Sequence, residues 1–151
     1  REYGGVATVR DNLFAMVERE FRDYSYRLHQ IENLEQRRKN LSVVRSSSDF
    51  AERVDTGNRV SSPIEMWIEQ QEFFDEQIAR HRLHVEPISQ LLSYFQEFKP
   101  DMVTFFDLRY KQRVGWPMVE DGLAISTPTR NRMRKELILT GARFLGMLSD
   151  F

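Results

Sequence analysis

From Ile64 to Phe95, side chains that can share a buried seam recur at alternating steps of three and four: Ile64, Trp67, Gln71, Phe74, Ile78, His81, Val85, Ile88, Leu92 and Phe95. This is the heptad spacing, and it suits a helix whose one stripe lies against another helix. Ser62-Pro63-Ile64-Glu65 marks where the helix starts, with Ser at the cap, Pro in the first helical position and Glu at the third. Pro87 lacks an amide hydrogen and crowds the carbonyl four residues back, which predicts a kink near Leu83.

A second stripe precedes it. Leu13, Val17, Phe21, Tyr24, Leu28, Ile31, Leu34 and Leu41 line one face of a long amphipathic helix, with Glu, Arg and Gln between them. The pattern then stops. Arg45 to Ser62, eighteen residues with a Ser cluster and a Thr-Gly-Asn turn signal, reads as a flexible connector. Lys99-Pro100-Asp101 is a break and restart, and a third helix is expected over Pro100–Gln112, burying Met102, Val103, Phe106 and Tyr110. No strand pattern competes anywhere.

The expected fold is therefore all-α: a long amphipathic helical hairpin or coiled coil, then a C-terminal helix-turn-helix. Its segments are 1–44, the first long helix; 45–62, the connector; 63–98, the second long helix; and 99–151, the helix-turn-helix region. Whether the long helices fold back within one chain or zip between two chains is left open by periodicity.

Composition removes several function classes. Eleven Phe among 151 residues supply apolar anchors, and the absence of cysteine excludes disulfides and thiolate metal sites and fits a reducing cytoplasm. Apolar runs are short and interrupted by charge, so no membrane span is expected. The opening "REYGGVATVR" lacks the apolar core of a signal peptide. There is no phosphate loop, dinucleotide turn or zincin motif. His81 and His84 stand three apart, but His81 falls on the apolar seam and reads as a packing residue, so no metal is expected. With the carboxylates scattered along helix faces, neither a cofactor nor an enzymatic activity is expected.

The overall net charge of −1 hides an asymmetry. Arg109 to Arg143 holds eight basic residues (Arg109, Lys111, Arg113, Arg130, Arg132, Arg134, Lys135, Arg143) against Glu120, Asp121 and Glu136, a net of +5 that leaves −6 elsewhere. A basic end on an acidic body fits a polyanion binder joined to an interaction scaffold.

Within that end, Trp116 and Val119 face inward, Leu123 closes a short helix and Ile125 pins a turn. Ser126 caps a second helix, Pro128 is tolerated in its first turn, and Met133 and Leu137 continue the inner face. The outer face carries Thr127, Asn131 and Arg132, suited to base edges, while Arg113, Arg134 and Lys135 suit phosphates.

The stretch "FFDLRYKQRVGWPMVEDGLAISTPTRNRMRKELILTGARFLG" resembles the C-terminal half of phage late-gene transcription regulators of the RinA/ArpU type. The resemblance rests on Arg109, Tyr110, Trp116, Ile125, Ser126, Thr129, Arg132, Leu145 and Gly146, and is similar also to the region of sigma factors that reads the −35 promoter element. "VEREFRDYSYRLHQIENLEQRRKNL" is similar to that family's opening helix. The resemblance implies a DNA-binding activator of late genes in the host cytoplasm, contacting double-stranded DNA and host RNA polymerase, with self-association through the long helices. It adds Thr129 to the DNA-binding set. Other readings of the same elements are a small terminase subunit and a protein-binding adaptor with a degenerate motif. Three positions depart from the pattern: Glu120 and Arg130 replace small or apolar residues, and Ala124 replaces the turn glycine. Opposite charges on one interhelical side point to an ion pair; the other resolution is a splayed hairpin with both charges in water.

Overall fold

The computed structural model of the chain describes residues 9–45 and 62–148. These residues are all-α, with no strand among them. We number the helices α1 (Val9–Arg45), α2 (Pro63–Phe98), α3 (Pro100–Phe106), α4 (Trp116–Leu123) and α5 (Thr127–Phe144). Of the expected connector over 45–62, Arg45 closes α1 and Ser62 caps α2, and residues 46–61 lie outside the described residues.

The caps read from sequence operate. Ser62 Oγ accepts the Glu65 amide at 3.1 Å, and Pro63 opens α2. Lys99, at φ −148° and ψ 76°, breaks the helix, and Pro100 starts α3. No position of the predicted seams in α1 or α2 is fully exposed. One detail differs: Leu91 is fully buried whereas Leu92 is only half-buried, a one-position drift where the stripe meets several partners instead of one. Helix α2 continues through Pro87, which withholds one backbone donor.

The described residues divide into two compact units, one within Arg1–Ser25 and His84–Phe151, the other within Tyr26–Leu83. The second unit is an antiparallel pair made of the latter part of α1 and the first part of α2, so within it the helices fold back in one chain. Ile31, Leu34 and Ile78 are buried among its described residues. Cross-links fix its register: the Trp67 indole donates to the Leu41 carbonyl at 3.0 Å, Arg38 meets Asp75, and Arg82 meets Glu35.

The other unit holds the larger core. Its buried side chains include Val17, Phe21 and Tyr24 of α1, Val85, Ile88, Leu91 and Phe95 of α2, Met102, Phe105 and Phe106 of α3, and Leu137, Ile138 and Ala142 of α5. Phe21 packs edge-on against Phe106 and Tyr110 at ring-centre distances of 5.2 and 5.1 Å, a favoured aromatic geometry. Beyond Phe106 the helix widens: the Gln112 amide reaches back five residues to the Asp107 carbonyl at 2.8 Å. This π-turn over Asp107–Lys111 replaces the regular helix expected to Gln112 and carries Tyr110 to 1% exposure.

Candidate nucleic-acid interface

The basic end folds as two helices joined by Ala124, Ile125 and Ser126. Helix α4 stops in the two-bond Schellman pattern: the Ile125 amide donates to the Glu120 carbonyl at 3.0 Å, and the Ala124 amide to Asp121 at 3.2 Å. The pattern needs a left-handed residue, and Ala124 takes it at φ 54°. Helix α5 ends in the same way, with Gly146 at φ 76°. The turn glycine missing from α4 is thus missing chemically but not conformationally; Ala124 adopts the shape at a cost of about 1 kcal/mol.

Ser126 caps α5, its hydroxyl accepting the Thr129 amide at 3.3 Å. Val119 and Leu137 are fully buried as read from the sequence, and Trp116 and Met133 are half-buried. Ile138, Gly141 and Ala142, absent from the predicted inner face, are buried too. Gly141 allows the close approach: a Cβ there would lie 2.6 Å from Phe21 Cζ.

The departures at Glu120 and Arg130 resolve as a pair. Arg130 Nε lies 3.3 Å from Glu120 Oε2, with the two side chains 15% and 21% exposed. The contact is an ion pair without the alignment of a hydrogen bond, since the Arg130 Nε–H has no hydrogen-bond acceptor. Glu120 also accepts the Thr127 hydroxyl at 3.0 Å, and Arg130 donates through Nη2 to Asn131 Oδ1 at 3.0 Å. The Arg130 guanidinium lies over Trp116 at 4.7 Å from the ring centre, with that of Arg109 at 3.9 Å. With Arg134 at 5.9 Å, three cations face one indole and gain quadrupole attraction, and Glu120 offsets part of their mutual repulsion. Replacing Glu120 and Arg130 singly by Ala should each cost about 1–2 kcal/mol in urea unfolding, and the double replacement less than their sum; strictly additive losses would contradict the pairing.

Four of the seven sequence-derived residues share the exposed side of α5: Thr127, Asn131, Arg132 and Lys135. Thr129 is half-buried and belongs to the cap, its hydroxyl accepting from Arg132 Nη2 at 3.1 Å. Arg113, exposed on the segment before α4, sits at φ 59° and donates to the Arg22 carbonyl at 3.1 Å.

Arg134 is placed differently from the phosphate-facing position expected of it. It turns inward and grips Glu18 with both Nε, at 3.1 Å, and Nη2, at 2.7 Å. Tyr110 donates its hydroxyl to the same carboxylate at 2.6 Å. Residue 134 lies one turn beyond residue 130 and shares its inward-leaning side, which sequence spacing did not separate from the outer face. Burial pushes the Glu18 carboxyl up, but hydrogen bonds from Arg134 and Tyr110 and the charges of Arg134 and Arg22 outweigh it and hold it below the ordinary carboxylate range. Burial, then the Glu18 hydrogen bond and charge, push the Tyr110 hydroxyl far up. The Glu18 bond raises Arg134, against its own desolvation.

Among the described residues no three His, Cys, Asp or Glu side chains group as metal ligands, and no helix is long and apolar enough to cross a membrane. No family model, curated protein or solved structure matches the chain.

Proposed function

We propose that this chain is a sequence-specific DNA-binding transcription regulator that lays α5 in the major groove, as the resemblance to phage late-gene activators implies. One observation carries the reading. Helix α5 is anchored by Leu137, Ile138 and Ala142 on one side and leaves Thr127, Asn131, Arg132 and Lys135 in water on the other. A capped helix, held on a core and showing polar and basic side chains along one exposed line, is what groove reading requires. The Glu120–Arg130 pair supports the reading as well, because it lets the hairpin close without an uncompensated charge. Lys135 and Arg113 serve the phosphates; Arg134 serves the fold. The long helices are assigned to self-association or to contact with RNA polymerase near the promoter.

The test is binding of the purified chain to duplex DNA over a range of salt. Affinity should fall linearly on a log–log scale, and Lys135→Ala should weaken binding to all sequences while flattening that slope by roughly one phosphate's worth. Asn131→Ala should change which sites are preferred. Binding that is absent, or indifferent to salt, would refute the reading.

A further inference from the structure

The hydrogen bonds inside the α4–α5 hairpin also determine which polar atoms remain for a ligand. Arg130 has no acceptor atom, so its contact with Asn131 must engage the amide oxygen. This turns Oδ1 toward the protein and leaves the Nδ2 hydrogens outward. Thr127 spends its hydroxyl hydrogen on Glu120, so outward it offers only lone pairs. Arg132 and Lys135 are donors by nature. Asn131, Arg132 and Lys135 therefore present donors alone, with an acceptor one turn earlier at Thr127, while the Glu136 carboxylate one turn beyond Arg132 is held by Lys99. Positions four apart are about 6 Å apart along a helix, enough to meet neighbouring base pairs.

On the reading that α5 lies in the major groove, we infer that Asn131, Arg132 and Lys135 select guanine, because Arg130 holds the Asn131 oxygen and these three side chains then offer only donors. Guanine is the base with two acceptors, N7 and O6, on its major-groove edge. Adenine pairs its N7 acceptor with an N6 donor, and an asparagine reading it must point its oxygen outward, the orientation that Arg130 opposes. Arg130 is thus a positioning residue for specificity.

The experiment starts from duplexes selected by the full chain out of a random library. Each selected site is rebuilt with 7-deazaguanine, which lacks the N7 acceptor, or with inosine, which keeps the major-groove edge and lacks the minor-groove amino group. The inference expects guanines in the selected site, an affinity loss of about tenfold or more with 7-deazaguanine, and a much smaller change with inosine. It also expects Arg130→Ala, assayed below its melting temperature, to relax guanine over adenine at one position, a readout that mere loss of stability would not produce. Salt-dependent binding with equal affinity for the 7-deazaguanine duplex overturns this inference while leaving DNA binding intact. A loss with inosine as large as that with 7-deazaguanine overturns it too, by moving the contact to the minor groove. Failure to recover any bound duplex overturns the functional reading along with it.

Discussion

Replacing Glu18 by alanine is expected to lower stability at neutral pH by about 3 kcal/mol, read as a shift in the urea midpoint. Glu18 is the one buried polar residue among the described core positions, at 9% exposure, and it joins α1 to α5 through Arg134 and to the π-turn through Tyr110. Removing it leaves the Tyr110 hydroxyl buried without its acceptor and strips the counter-charge from Arg134. Arg134 keeps 35% of its side chain in water, so the upper end of the range for breaking buried pairs does not apply. Glu18→Gln should cost less, about 1–2 kcal/mol, because the amide still offers an acceptor. Tyr110→Phe should cost about 1 kcal/mol, the net worth of one hydrogen bond.

The pair also sets an acid limit. Because folding lowers the Glu18 pKa, the carboxylate contributes stability above the ordinary value of 4.5, and that contribution is lost as the pH falls through the lower folded value. The wild-type chain should therefore lose stability more steeply than Glu18→Gln as the pH falls from 4.5 to that lower value. Parallel pH profiles for the two proteins would contradict the assignment, as would an alanine variant within 0.5 kcal/mol of wild type.

A second large effect is expected at Gly141. In an isolated helix, Ala would be favoured over Gly by about 1 kcal/mol. Here the added Cβ would meet Phe21 Cζ at 2.6 Å and Cε1 at 3.0 Å, with Leu91 Cδ2 at 3.3 Å. The Phe21 ring has nowhere to retreat, since Phe106 and Tyr110 pack edge-on against it. Gly141→Ala should thus destabilise by about 1–2 kcal/mol net, and Gly141→Val by about 3 kcal/mol. Phe21→Leu, itself costly in the wild type, should cost less beside Gly141→Val, because the smaller side chain accommodates the methyl groups. A more stable Gly141→Ala protein would show that helix propensity outweighs packing at this site.

How far the residues themselves foretold this structure depends on the range of each interaction. The helices of α1 and α2, their seams and the Ser62 cap follow from periodicity and local hydrogen bonding, which act within a few residues. The turn from Ala124 to Ser126 follows for the same reason. The Glu120–Arg130 pair was accessible because the two residues are ten apart on adjoining helices with opposite charge. The Glu18–Arg134 bond spans 116 positions, and no spacing rule joins an acidic residue early in α1 to one arginine among several in α5. Arg134 therefore looked like another member of the outer basic face. The π-turn escaped for a related reason: an i to i+5 backbone bond leaves no mark in a three–four pattern, and only the burial of Tyr110 in the aromatic cluster shows its purpose. Gly141 gave no warning either, because a glycine inside a helical stretch signals a close neighbour without saying which one.

That α5 is the surface that meets DNA is tested most directly by following backbone amide chemical shifts while the chain is titrated with a selected duplex. Shifts concentrated at Thr127, Asn131, Arg132 and Lys135, with Arg113 at their edge and Arg134 little changed, are the expected result. Shifts confined to Tyr26–Leu83, or a spectrum unchanged by saturating duplex, would contradict it.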